Sequence, residues 1–116
     1  MKKYMAVFLG AADKNAAWDK LDEATKKERE KAGMAAWGKW VTDHKADIVD
    51  MGSPLGKTKK IDSSGISDTK NDLAAYTVVQ AESYDDAAKM FVNHPHFSVF
   101  PGDRVEVMEC LPIPGM

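Results

Sequence analysis

The segment "NHPHFSVFPGD" (Asn93 to Asp103) holds two of the chain's three histidines, His94 and His96, with Pro95 between them. The third, His44, sits in "WVTDHKADIVD". Imidazole titrates near neutrality, so one ring can take a proton while another gives it. His44, His94 and His96 are therefore the candidate catalytic residues, converging at one end of a sheet. Trp37, Trp40 and Tyr76 are the candidate ligand-binding residues, able to wall a flat apolar pocket. An H-x-H pair in extended chain can also point both rings to one side, as some metal sites require. That site would need a third ligand, and the sequence offers His44, Asp43, Asp103 and Glu109. No H-x-x-E-H motif, cysteine pair or acidic loop accompanies them, so no metal and no cofactor is expected. In the structural alternative, His94 caps the carbonyls at a helix C-terminus and His96 packs at a dimer seam.

Other chemistries lack their residues. There is no nucleophile elbow and no dinucleotide fingerprint, and "GSPLG" lacks the Lys-Ser/Thr of a phosphate loop. The single Cys110 rules out an internal disulfide and suits a reducing cytoplasm. Its place late in a strand pattern predicts a packed thiol. The chain has 116 residues, 16 basic and 18 acidic, for a net charge of −2. That length predicts one domain over 1–116. The charge gives no footprint for nucleic acid or an anionic membrane, and no apolar run is long enough to span a bilayer.

The elements that must position the histidines follow from periodicity. "KYMAVFL" (3–9) and "LAAYTVVQA" (73–81) are apolar on both strand faces, as central strands covered on both sides would be. Residues 13–31 alternate in charge, like a solvated helical face. "TKKE" (Thr25 to Glu28) has capping-box form and predicts a helix start. Met34, Trp37, Val41, His44 and Ile48 then recur in steps of three and four, which places His44 on a buried stripe. Gly33 and Gly38 either weaken that helix or admit a close neighbour. "DIVDMGSPLG" reads as a strand and a turn. "KTKKIDSSGISDTKND" reads as a hairpin arm or edge strand. "SYDD" (Ser83 to Asp86) opens a short helix that Pro95 stops, with His96 leaving in extended form. "RVEVMECL" alternates as an edge strand does, with Val105 and Val107 inward.

The order is β–α–β–(hairpin)–β–α–β. It predicts an α+β, ferredoxin-like βαββαβ sandwich with an extra hairpin arm before strand three. Two helices cover only one sheet face, and a second copy is the simplest cover for the other. A homodimer closing into a dimeric α/β barrel is therefore expected.

The residues also resemble those of the YCII-related family of small bacterial proteins, including its DGPF branch. "DTKNDLAAY" (Asp68 to Tyr76) is similar to that branch's E-T-K-E-x-L-x-G-Y run through Thr69, Lys70, Leu73 and Tyr76. "DMGSPLG", "AESYDDAAKMF", "HPHF" and "EVMECLPIPG" resemble segments of the wider family in the same order. The resemblance implies a ferredoxin-like dimeric barrel with a cleft between helix and sheet. One branch removes chloride from a chlorinated hydroxyquinol without a cofactor, and a His–Asp pair is suggested as catalytic in the YCII type. This chain departs at two places. "SSGI" (Ser63 to Ile66) stands for D-G-P-F, and His94-Pro95 stands for the D-P pair that follows the second helix. A His–Asp mechanism therefore does not transfer residue by residue. The expected function is a cytoplasmic small-molecule protein, a cofactor-free lyase or isomerase acting on a polar aromatic or enolisable compound. The alternative is a non-catalytic ligand-binding or interaction module.

Overall fold

The computed structural model describes residues 1–115, so Met116, the last residue of the expected domain, lies outside the described residues. Strand β1 (Lys2–Leu9) lies in the middle of a four-stranded antiparallel sheet. It pairs with β5 (Leu73–Ala81) on one side and β6 (Arg104–Glu109) on the other, with Ala6 opposite both Thr77 and Val107. The short β2 (Ile48–Asp50) completes the order β2-β5-β1-β6. β6 is thus an edge strand, as its alternation predicted. The order and the antiparallel pairing are compatible with a ferredoxin-like α+β topology.

Side-chain alternation divides the sheet into two faces. On the helix side Tyr4, Ala6 and Phe8 from β1 meet Val79 and Ala81 from β5, and all five are buried with Trp40, Ala87 and Phe91. On the other side Met5, Val7 and Val78 remain half-buried. The two apolar faces are real, but the helices of one chain cover only one of them.

The charged segment forms two helices, α1 (Ala12–Asp19) and α2 (Glu23–Asp43). α1 buries no residue, in keeping with a solvated face. α2 starts ahead of the "TKKE" signal because Asp22 is the better cap: its carboxylate accepts the Thr25 N–H at 2.9 Å. The helix ends at Asp43. His44 is its C-cap and leads into a 3-10 turn, Lys45–Asp47, so it closes the stripe rather than lying within it. Gly38 has open space around its α-carbon, whereas Gly33 admits the ring of Phe100.

Two further expectations fail around Pro95. The helix opened by Ser83, α3 (Tyr84–Lys89), ends well before the proline, and Pro95 begins another helix, α4 (Pro95–Ser98). A proline at the first helical position loses nothing, since its absent N–H would have had no partner there. His96 is consequently helical, and the extended H-x-H geometry does not form. Cys110 lies just past β6 and is exposed, not packed. The polar segment before β5 does fold as a hairpin, β3 (Thr58–Asp62) with β4 (Gly65–Thr69), in a sheet of its own.

Gly33 yields a direct test of how α2 packs. An added Cβ would sit 2.5 Å from the Phe100 ring. Gly33→Ala should destabilise the protein by about 1–3 kcal/mol in chemical denaturation, although alanine is the better helix former. Adding Phe100→Ala should make the alanine at 33 neutral or favourable. A stabilised Gly33→Ala single variant would show that the ring is not there.

Candidate functional site

His94 is held by the chain around it. Asn93 takes a left-handed φ of 56°, and the backbone then turns into α4. His94 is the N-cap of α4: its Nδ1 accepts the backbone N–H of His96 at 3.0 Å. This fixes the tautomer, because an accepting Nδ1 leaves the proton on Nε2. His94 is 0% exposed, and its Nε2 has no hydrogen-bond partner. Aromatic rings pack around it. Trp37 stands edge-on at 4.5 Å between centroids, Trp40 at 4.8 Å and Phe8 at 4.9 Å. The structural alternative had His94 bonding the carbonyls of the preceding helix. It serves the amides of the following one instead, because Pro95 starts that helix.

His96, also buried at 7% exposure, is held from its other nitrogen. Its Nε2 lies 2.8 Å from the carbonyl of Leu9 at the end of β1. A carbonyl only accepts, so Nε2 carries the proton and Nδ1 keeps its lone pair. Gly102 makes the fit possible. Its N–H donates to the His96 carbonyl at 2.8 Å, and a Cβ there would overlap the imidazole. The close approach of Gly102 to His96 has no signature in a single sequence.

The two rings are electrically quiet. Burial, reinforced by His96 and His44, pushes the His94 imidazole down to about 3. Burial also lowers His96, against the opposing pull of the Leu9 and Arg104 carbonyls and the Asp103 carboxylate. Both are neutral at physiological pH.

A cleft of about 520 Å³ opens beside them, within the usual range for small-molecule sites. α2 gives one wall through Trp37, Trp40 and Val41; the loop Met51–Pro54 and residues 74–77 of β5 give the other; His96 and Phe100 lie at the end. Of the candidate residues, His96, Trp37, Trp40 and Tyr76 line it. His94 lies behind the two tryptophans. His44 rests on Trp40 at 4.9 Å, away from the lining. Trp40 is pinned by its indole N–H, which donates to the Met90 carbonyl at 2.7 Å. Sequence reasoning missed Phe100, Gly102 and the Met51–Pro54 wall. Met34 was placed on the buried stripe, yet it is a cleft residue and 66% exposed. No lining residue is a carboxylate, lysine or arginine. No group of three or more His, Cys, Asp or Glu side chains able to hold a metal ion occurs among the described residues.

No protein-family model matches the chain, and no curated protein does. Among solved structures it is similar to the 5-chloro-2-hydroxyhydroquinone dehydrochlorinase of Burkholderia phenoliruptrix AC1100, seen in complex with 2,5-dihydroxybenzoquinone. The two share 17% identity over 91% of this chain and 90% of that one, with a TM-score of 0.52. This likeness is one of fold.

Neutral burial of His94 has a consequence for stability. An unfolded histidine protonates near ~6.5, whereas His94 in the folded chain does so at about 3. Between those values the unfolded chain binds the extra proton, so stability rises with pH. The penalty is absent above ~6.5 and grows by about 1.4 kcal/mol per pH unit below it. His94→Asn keeps a capping acceptor and cannot titrate. It should lower stability at pH 7.5 by about 1–3 kcal/mol through the space it leaves, and flatten the slope between pH 6.5 and 5. Denaturant melts at both pH values measure this; an unchanged slope would mean that His94 is not the buried titrating group.

Proposed function

We propose that the chain is a cytoplasmic homodimer of the YCII-related type, a cofactor-free lyase or isomerase acting on a polar aromatic or enolisable compound held in this cleft. The observation that carries the proposal is His96: a neutral imidazole of fixed tautomer on the wall of an apolar cleft, with Nδ1 left to accept a proton. Its lowered basicity selects the substrate class. A weak base takes a proton only from an acidic group, such as a phenol, an enol or a carbon next to a carbonyl. The uncharged lining favours a neutral, flat ligand between Trp37 and the β5 wall. In an elimination, His96 Nδ1 takes the proton, the electron pair left behind forms a new π bond, and the leaving group departs with its own pair. In an isomerisation the same proton returns at another carbon. The named activity and bound quinone of the structural neighbour, and the motif resemblance, support this class.

The alternative, a ligand-binding or interaction module without chemistry, is favoured by one observation: no carboxylate lines the cleft, and His96 stays a weakened base despite the nearby Asp103. Hydroxylated aromatics and quinols, screened by calorimetry for binding and by chromatography for turnover, separate the two. His96→Gln should lower kcat by at least about a hundredfold while changing binding less than about tenfold. Turnover that survives His96→Gln would remove the catalytic role. Tight binding with no turnover would leave the binding module.

A further inference from the structure

The β3–β4 hairpin is unlike the rest of the molecule. It pairs with no strand of the four-stranded sheet. Its base is fastened at the rim of the cleft, where Pro54 bridges Ala75 and the Leu55 N–H donates to the Ala74 carbonyl at 2.9 Å. From there two strands of five residues run outward in register, Thr58 opposite Thr69 and Ile61 opposite Ile66. At about 3.3 Å per residue the tip stands roughly 17 Å from the base. Lys59 and Asp68 brace the ribbon at 2.6 Å. Beside the turn, Ile61 and Ile66 are 71% and 73% exposed. Two isoleucines directly opposite one another share a face and form a small apolar pad. A lone two-stranded hairpin is marginally stable in water, and nothing among the described residues covers this pad.

We propose that the hairpin is an intersubunit arm: its Ile61–Ile66 pad seats on a second copy of the chain and closes the mouth of that copy's cleft. The mouth offers a matching surface. Met34 on α2 is 66% exposed, Met51 on the facing wall is 62% exposed, and Leu55, next to the lining residue Pro54, is 42% exposed. Thioether side chains adapt readily to an incoming apolar group. The arm does not close its own cleft: no residue of the hairpin lines it, and the pad stays open to solvent. The shape favours a second copy over a foreign partner. The chain is a slab of 54 × 44 × 18 Å with a radius of gyration of 16.2 Å, against about 13 Å for a compact chain of this length. A second slab laid on the half-covered sheet face, where Met5, Val7 and Val78 lie, thickens the core. A two-fold axis then makes the arm contacts reciprocal.

The arm rests on the homodimer of the functional proposal but not on any chemistry in the cleft, and its test needs no ligand. In a Cys110→Ser background, Ile66→Cys on the pad is combined with Met51→Cys at the mouth and the protein is mildly oxidised. The expected product is a covalent dimer on a non-reducing gel, at least tenfold more abundant than with either cysteine alone. A disulfide within one chain, seen as two lost thiols at monomer mass, would overturn the proposal in favour of closure over the chain's own cleft. Equal dimer from a single cysteine would also overturn it, as would no cross-link in a protein that light scattering shows to be dimeric. The surface pair Ile61→Ser with Ile66→Ser, which leaves the core intact, should weaken dimerisation at least tenfold; an unchanged dimer affinity counts against the arm.

Discussion

The carbonyl of Leu9 ties three parts of the molecule together. It ends the central strand β1, and it accepts both the Nε2–H of His96 and the backbone N–H of Asp103. One oxygen thereby joins the sheet's middle to α4 and to the entry of β6. Buried carbonyls and buried imidazoles are costly unless paired, so each stabilises the burial of the other. The rest follows in sequence. His96 is fixed, so Gly102 must lack a side chain; His96's amide is directed at His94, so His94 must accept through Nδ1; and the remaining His94 proton is left among rings. The orphan costs about 1–3 kcal/mol, partly offset by edge-on aromatic contact with Trp37.

How much of this was legible in the sequence depended on the period of the signal. The central strands could be read because "KYMAVFL" and "LAAYTVVQA" are apolar on both faces, and strand periodicity needs only a few residues to show itself. The segment "KTKKIDSSGISDTKND" could be read as a hairpin arm or edge strand from its polar, turn-rich composition, and it is the hairpin that forms. The approach of Trp37, Trp40, Tyr76 and His96 to one cleft followed from placing helices and histidines at the same end of a sheet. The failures were local and competitive. At Asp22 a carboxylate outcompeted the threonine box downstream. At Pro95 one residue type carries two opposite meanings, stop and start, and only the preceding turn at Asn93 decides between them. At His44 and Ile48 a stripe of correct period ran two steps beyond the helix that carried it. Gly102 illustrates a different limit: a glycine chosen for what it lacks is visible only when its neighbour's ring is in place.

The cleft combines strong shape with weak electrostatics. Its walls are apolar and aromatic, and the one imidazole that lines it is uncharged. Under the proposed chemistry such a site would distinguish ligands by the acidity of the proton they offer, since a neutral acceptor in an apolar wall gives little to a ligand without one. The lining has no lysine or arginine, so under the proposed chemistry an anion formed in the cleft would face the protonated His96 imidazole as its counter-charge until the proton is returned or a leaving group departs.

Two of the chain's three tryptophans, Trp37 and Trp40, line the cleft, and the third, Trp18, leans on the Phe100 ring at 6.5 Å between centroids. All of the indole emission therefore originates within one or two side chains of the cavity. His94, uncharged and packed edge-on to Trp37, does not act as the cationic quencher that a protonated imidazole would be. The protein thus carries its own optical reporter. An aromatic or quinonoid guest would dim or shift that emission from the cleft outward, and a second copy's arm settling over the mouth would register in the same light.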